Sequence, residues 1–168
     1  GEDRDRVREF GVDARIKVVH NGIDTERFTP EGPESELIDH DGPVVLFVGR
    51  LVEGKRPGDA IEAVSRLARE NLKLYVVGDG PLRSEIEGEA GDAVEFLGQV
   101  PYEEMPAVYR ASDALVLPSR AEGVPRTVLE AFASGVPVVS SDLDQVAPIV
   151  EEGGVTVRVY REENSREE

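Results

Sequence analysis

The stretch that decides the fold is ALVLPSRAEGVPRTVLEAFASGVPVV, residues 114–139. Its apolar opening indicates a buried strand, and residues 127–134 are predicted to form a helix after a polar loop. Pro125 suits the start of that helix, because the amide hydrogen that proline lacks has no acceptor in a first helical turn. Gly135 supplies the left-handed cap that commonly ends a helix. Residues 137–140 follow as a strand, so the stretch reads as strand, loop, helix and strand.

The same alternation of short apolar runs and helical patterns extends on both sides of this stretch. The predicted strands are 44–48, 72–77, 94–97, 114–117, 137–140 and 155–159, and the predicted helices are 57–70, 82–90, 102–111, 127–134 and 145–152. Strands that are apolar throughout and separated by single helices favour a parallel sheet covered on both faces. We therefore predict an α/β fold, a Rossmann-like doubly wound parallel sheet with strand order 3-2-1-4-5-6.

The flanking segments differ in composition from this core. Residues 1–30 open with a charged helical pattern that ends at Gly11, followed by a short strand at 16–19 and the turn signal Asn21-Gly22. Residues 31–43 are rich in Pro, Gly and acids and are predicted to be a linker, residues 44–160 the sheet domain, and residues 161–168 a polar tail. We interpret His20 as a turn residue rather than a metal ligand.

The charge balance excludes several classes of partner. The chain has 35 acidic and 19 basic residues, a formal net charge of -16, and no cysteine. A strongly acidic surface repels nucleic acid and anionic membranes, so neither is an expected partner. No apolar run approaches the ~18 residues of a transmembrane segment. We expect a cytoplasmic protein, with a peripheral membrane attachment left open.

Polar and charged residues cluster where the predicted strands end. Glu122 lies in the loop before the 127–134 helix and Glu130 lies within that helix, so both carboxylates are predicted to face one pocket together with the free amides of the helix start. The carboxyl ends of strands 1 and 4 meet where the strand order reverses, which brings Arg50 and Lys55 to the same crevice. An arginine guanidinium can donate hydrogen bonds to two phosphate oxygens at once, whereas a lysine ammonium acts as a point charge. These groups suit a ligand with phosphate and hydroxyls, that is, a sugar nucleotide.

Glu122 and Glu130, separated by seven residues and followed by Ala131, Gly135 and Pro137-Val138-Val139, resemble the paired-glutamate motif of the retaining glycosyltransferases of family 4. That family has the GT-B fold, in which two Rossmann-like domains face each other across a cleft. The resemblance implies that this chain is the C-terminal, donor-binding domain, truncated from its acceptor-binding N-terminal domain. Asn21-Gly22-Ile23-Asp24 is similar to the family's passage between the two domains. The resemblance therefore implies that residues 1–30 are the end of the preceding N-terminal domain and the crossover.

The resemblance also implies roles for individual residues. Glu122 is the expected catalytic residue beside the donor sugar, and Glu130 binds the ribose diol. Arg50 and Lys55 hold the diphosphate, and the amides from Gly123 to Val128 hold the sugar end. The implied substrate-binding set is Gly49, Arg50, Lys55, Gly98, Gly123, Val124, Pro125, Arg126, Thr127, Val128 and Glu130. A nucleotide-diphosphate sugar is then the donor substrate, with no cofactor and no obligatory metal.

Other readings of the same residues stay open. The first is a non-catalytic nucleotide-binding or regulatory module of the same fold. Gly78-Asp79-Gly80-Pro81 resembles the opening of a dinucleotide fingerprint, but Pro81 and Arg83 break the pattern and the run follows the second strand. A two-carboxylate hydrolase needs an acid that is protonated at neutral pH, which no residue here obviously supplies. A receiver-like domain is disfavoured because strand 1 lacks paired acids.

The acidic composition predicts a halophilic protein, one that unfolds in dilute buffer and folds in concentrated salt. Self-repulsion destabilises a compact chain of net charge -16. Salt weakens that repulsion because the Debye length falls from about 10 Å at 0.1 M to about 3 Å at 1 M. Circular dichroism across a salt titration measures the effect, and equal stability in dilute buffer would contradict the prediction.

Overall fold

The computed structural model describes residues 7–11, 14–15, 22–67, 71–123, 125–141 and 143. Five strands form one sheet within these ranges: β1 Val44–Val48, β2 Lys73–Val77, β3 Val94–Gly98, β4 Ala114–Leu117 and β5 Val138–Ser140. The strand order is β3-β2-β1-β4-β5, and every described pairing is parallel. The helices that connect these strands are α1 Pro57–Leu67, α2 Arg83–Glu89, α3 Met105–Arg110 and α4 Arg126–Ala133, with a 3-10 turn at Glu53–Lys55.

These elements confirm the predicted fold class and most of the predicted boundaries. β1 and β4 begin and end where the sequence indicates, and the described part of the strand order agrees with the prediction. The predicted helix 102–111 begins later, at Met105, because residues 102–104 form a turn and Pro106 occupies the first helical turn. The predicted strands 16–19 and 155–159 and the helix 145–152 lie outside the described residues. No helix in the described ranges is long and apolar enough to cross a membrane.

Helices cover the sheet on both faces, as the apolar strands require. α3 and α4 pack on one face, where Val108, Val128 and Ala131 join the buried side chains of β1, β2, β4 and β5. α1 and α2 pack on the other face through Ile61, Val64 and Ile86. Each face therefore has its own apolar cluster, and the sheet lies between the two.

The carboxyl ends of β1, β2 and β3 are drawn together at Gly78. The Gly78 amide donates to the Gly98 carbonyl at 2.7 Å, and the Gly49 amide donates to the Val77 carbonyl at 3.0 Å. Gly78 has φ +130°, and a Cβ atom there would lie 1.9 Å from the Gly49 carbonyl oxygen. Only glycine permits this approach of two backbones, and the approach sets the floor of the candidate site described below.

We predict that Gly78→Ala lowers the free energy of unfolding by more than about 3 kcal/mol, because the new methyl group meets backbone that cannot rotate away. Gly88→Ala is the matched control, since a Cβ at that helical position meets nothing within 4 Å. The control is expected to raise stability by up to about 1 kcal/mol through helix propensity. Urea denaturation at constant salt measures both, and equal effects of the two changes would contradict the close approach.

Candidate functional site

A cavity of about 530 Å³ opens at the carboxyl ends of β1 and β2, beside the start of α4. Its lining brings together segments that are far apart in sequence. The lining residues are Val48, Gly49, Arg50, Val77, Gly78, Asp79, Gln99, Val100, Tyr102, Met105, Arg126, Thr127 and Glu130. Of the residues singled out in the sequence, Gly49, Arg50, Arg126, Thr127 and Glu130 therefore share one cavity.

Arg50 follows β1 and is exposed. Its side chain has no hydrogen-bond or ion-pair partner in the described part of the chain, although the residue lines the cavity. An unpaired guanidinium presents five donors and a full positive charge. Arg50 is thus available to bind an anion in this cavity.

Glu130 lies on α4 and is only 5% exposed. Its Oε2 accepts a hydrogen bond from the Tyr109 hydroxyl at 3.0 Å, and its Oε1 lies 3.5 Å from Arg126 Nη2. Burial, reinforced by the negative charge of Glu130, raises the pKa of Tyr109 well above its ordinary value. The phenol therefore stays protonated and remains a donor to the carboxylate at neutral pH.

Arg126 is held at the cavity by Tyr102. Arg126 Nη2 donates to the Tyr102 hydroxyl at 2.8 Å, and its guanidinium carbon lies 5.3 Å from the centroid of the Tyr102 ring. The guanidinium carbon of Arg27 lies 5.5 Å from the same centroid. Cations near an aromatic ring are attracted to its quadrupole, so the hydrogen bond and the ring contact of Tyr102 stabilise Arg126 close to Glu130.

Lys55 and Glu122 form an ion pair with each other. The Glu122 side chain is 8% exposed, and a nearly buried carboxylate requires a counter-ion. A hydrogen bond from the Arg120 amide to the Gly54 carbonyl, 2.9 Å long, joins the two loops that carry the pair. Neither residue is among those that line the cavity. Of the four charged residues expected to face one groove, Arg50 and Glu130 line this cavity, while Lys55 and Glu122 pair with each other.

The remaining predicted site residues have varied surroundings. Gly98 has φ +70° and accepts the Gly78 amide through its carbonyl, while its neighbours Gln99 and Val100 line the cavity. Gly123 is exposed, and Val124 lies outside the described residues.

The expected row of free amides from Gly123 to Val128 needs correction. Pro125 has no amide hydrogen, and the Val128 amide donates to the Pro125 carbonyl at 3.2 Å.

Sequence reasoning missed Tyr102 and Tyr109, which contact Arg126 and Glu130. Asp79, Gln99 and Met105 also line the cavity without having been assigned to it. The position of Tyr109 on the apolar face of a predicted helix could have identified it, because a buried tyrosine hydroxyl needs a hydrogen-bond partner. Its partner lies 21 residues away, and only the packing of α3 on α4 brings the two together.

A second cavity, of about 640 Å³, lies on the other face of the sheet, between α1 and the strands β4 and β5. It is larger than the first but contains none of the residues that the sequence assigns to ligand binding. We therefore place the candidate site at the cavity that Arg50 and Glu130 share.

Comparison with known proteins places this geometry in a family. The family model described as "Glycosyl transferases group 1" matches residues 42–167. The chain is 37% identical over 147 residues to the 2-deoxystreptamine glucosyltransferase of Streptomyces kanamyceticus, covering 79% of this chain and 38% of that protein. It is 35% identical over 179 residues to the D-inositol 3-phosphate glycosyltransferase of Nocardia farcinica, covering 94% of this chain and 40% of that protein.

Solved structures agree on the fold. Anabaena HepE in complex with UDP and glucose superposes with a TM-score of 0.71 at 22% identity, covering 85% of this chain and 43% of HepE. The C-terminal domain of the glycosyl transferase LpcC from Francisella tularensis gives a TM-score of 0.62 at 23% identity, covering 78% of this chain and 85% of that domain.

The parallel sheet with its switch-point cavity has the Rossmann-like α/β fold that these glycosyltransferase structures contain. The chain spans about two fifths of the length of the curated relatives it matches. It belongs to the glycosyl transferases group 1 family.

We predict that Lys55→Met lowers the free energy of unfolding by about 2 kcal/mol, because it leaves the nearly buried Glu122 without a counter-ion. Lys73→Met is the matched control. Lys73 pairs with Glu95 at 3.2 Å, but the Glu95 side chain is 47% exposed, so its loss is expected to change stability by less than about 1 kcal/mol.

A double-mutant cycle with Glu122→Gln, followed by urea denaturation, measures the coupling directly. Coupling between Lys55 and Glu122 no larger than that between Lys73 and Glu95 would show that the first pair does not hold the two loops together.

Proposed function

We propose that this domain binds the nucleotide-diphosphate sugar donor of a retaining glycosyltransferase. One observation carries the proposal: Arg50 and Glu130, from opposite halves of the chain, line one cavity where the strand order reverses. Family membership supports it, as do relatives named as sugar transferases and a fold neighbour that contains UDP and glucose. The retaining mechanism and the hexosyl substrate rest on the resemblance of the Glu122 and Glu130 spacing to the family 4 motif.

In this proposal the diphosphate lies between Arg50 and the start of α4. The Arg50 guanidinium, which has no partner among the residues that the structure describes, binds phosphate oxygens. Charge-assisted hydrogen bonds of this kind contribute roughly 1.5 to 3 kcal/mol each. The first residues of α4, Arg126 and Thr127, also line the cavity. The positive end of the helix dipole adds typically about 0.3 to 1 kcal/mol for an anion. Glu130 accepts hydrogen bonds from the ribose hydroxyls on the nucleoside side of the diphosphate.

The sugar end of the donor lies toward the loop that carries Glu122. A diphosphate next to Lys55 competes with Glu122 for its ammonium group, and the released carboxylate binds hydroxyls of the donor sugar. Negative charge grows on the diphosphate as its bond to the anomeric carbon breaks. Arg50 and Lys55 stabilise that charge, while Glu122 stabilises the oxocarbenium-like sugar. The acceptor hydroxyl is bound by the N-terminal domain of the full-length enzyme, so we propose that this domain alone transfers little or no sugar.

A second candidate function is a nucleotide-binding module without catalysis. The ion pair between Lys55 and Glu122 favours it, because each residue compensates the charge of the other within the protein. The two candidates differ in whether Glu122 is needed for sugar transfer or only for the structure of the loop.

We predict that the domain binds at least one of UDP, GDP or ADP, free or sugar-linked, and that Arg50→Ala weakens this binding at least about tenfold, the loss of one charge-assisted contact. Isothermal titration calorimetry at high salt measures the affinity. Arg66→Ala is the matched control, since Arg66 lies on the exposed side of α1, where it pairs with Glu62 at 2.6 Å. Equal affinity of Arg50→Ala and wild type would remove Arg50 from the site.

A sugar-transfer assay of the full-length enzyme, run beside the same binding titration, separates the two candidates. Glu122→Ala is expected to abolish sugar transfer while nucleotide binding persists, because the proposal places Glu122 at the sugar rather than the nucleotide. Normal transfer by this variant would remove Glu122 from catalysis, and no transfer by the wild-type enzyme would leave only the binding module.

A further inference from the structure

Tyr109 is a buried polar residue with a specific partner. It is 0% exposed, and its hydroxyl donates to Glu130 Oε2 at 3.0 Å. The Tyr109 ring packs against the buried Phe28 ring with a centroid distance of 5.9 Å, in an edge-on arrangement. Helix α3 carries Tyr109 and packs on α4, which carries Glu130. The hydroxyl is therefore held in place by the core, not by the cavity surface.

The contacts of Glu130 leave acceptor capacity on one side. A carboxylate offers about four lone-pair positions. Tyr109 occupies one of them on Oε2, and Arg126 approaches Oε1 only at 3.5 Å. Glu130 lines the cavity and is only 5% exposed, so the cavity is the direction from which a ligand can reach its remaining lone pairs.

We propose that Tyr109 is a positioning residue that fixes the Glu130 carboxylate so that it accepts hydrogen bonds from both hydroxyls of a nucleoside ribose. The inference rests on the proposed function, which places a nucleoside diphosphate in this cavity. A carboxylate fixed in this way distinguishes a ribonucleotide from a 2′-deoxyribonucleotide, because the missing hydroxyl leaves a desolvated acceptor unpaired. Without the Tyr109 hydroxyl the carboxylate turns more freely, and the distinction becomes weaker.

The test measures the affinity of the domain for UDP, GDP and ADP and for their 2′-deoxy counterparts, by calorimetry at high salt. Wild type is expected to bind the ribonucleotide about tenfold more tightly than the deoxyribonucleotide, which corresponds to the contribution of one hydrogen bond to a charged group. In Tyr109→Phe we expect this preference to fall below about threefold, mainly because the ribonucleotide binds more weakly. The preference is the informative readout, since general damage to the fold weakens both nucleotides alike and leaves their ratio unchanged.

Tyr75→Phe is the matched control. Tyr75 is also 0% exposed, but its hydroxyl donates to the Asp39 carbonyl at 3.4 Å and does not line the cavity. This variant is expected to keep the wild-type preference. Should Tyr109→Phe fail to fold, Phe28→Leu replaces it. That change keeps the hydroxyl but removes the ring that supports it, and it must also lower the preference.

The outcomes separate this inference from the proposed function. If wild type binds no nucleotide, both the proposed function and the role of Tyr109 are contradicted. If wild type binds nucleotides without preferring ribose, or if Tyr109→Phe keeps the preference, the role of Tyr109 is overturned while donor binding stands. A preference that falls in Tyr109→Phe and persists in Tyr75→Phe supports the inference.

Discussion

The reversal of strand order at β1 is the constraint on which the rest of this structure depends. β1 pairs with β2 on one side and with β4 on the other. The chain therefore continues from β1 to β2 and β3 on one side, and then crosses back past β1 to form β4 and β5 on the other side. The connecting helices then cover opposite faces of the sheet, which leaves a crevice at the carboxyl ends of the strands. The loops after β1 and β4 are joined by the Arg120 amide and by the pair of Lys55 with Glu122. The cavity at this edge contains Arg50 from the loop after β1 and the start of α4. A ligand site at this edge follows from topology before any side chain is considered.

Local pairing explains how so acidic a chain can offer a site to an anion. The net charge is -16, yet the described cavity lining has two arginines, Arg50 and Arg126, and two carboxylates, Asp79 and Glu130. Both carboxylates are engaged by the protein: Asp79 accepts the Gly80 amide at 2.7 Å, and Glu130 accepts the Tyr109 hydroxyl. The rest of the surface charge acts from further away, and salt screens it over about 8 Å at physiological ionic strength. The electrostatic field in the cavity is therefore set mainly by the charged groups that line it.

The sequence predicted what depends on local pattern and on topology. The bounds of β1 and β4 follow from apolar runs, and the shared cavity of Arg50 and Glu130 follows from the switch-point rule applied to those strands. What it did not predict depends on how elements pack. The partner of Lys55 is set by the distance between two loops, and the partner of Glu130 by the contact of α3 with α4. A sequence pattern also does not predict which amides at a helix start are hydrogen-bonded, because the Val128 amide donates to the Pro125 carbonyl only in the folded turn.

The position of Glu130 argues for a ligand more strongly than its spacing from Glu122. It lies between Val128 and Ala131 on a helix whose other buried positions are apolar, and it is 5% exposed itself. An apolar residue of similar size at such a position is often neutral or stabilising compared with a buried charge. The Tyr109 hydroxyl compensates part of the desolvation, but two buried polar groups that satisfy each other gain little over two apolar ones. Stability alone therefore does not explain this pair. The Glu130 carboxylate borders the cavity, and the Tyr109 hydroxyl binds one of its oxygens from the core. A ligand that donates hydrogen bonds to the remaining lone pairs explains this arrangement.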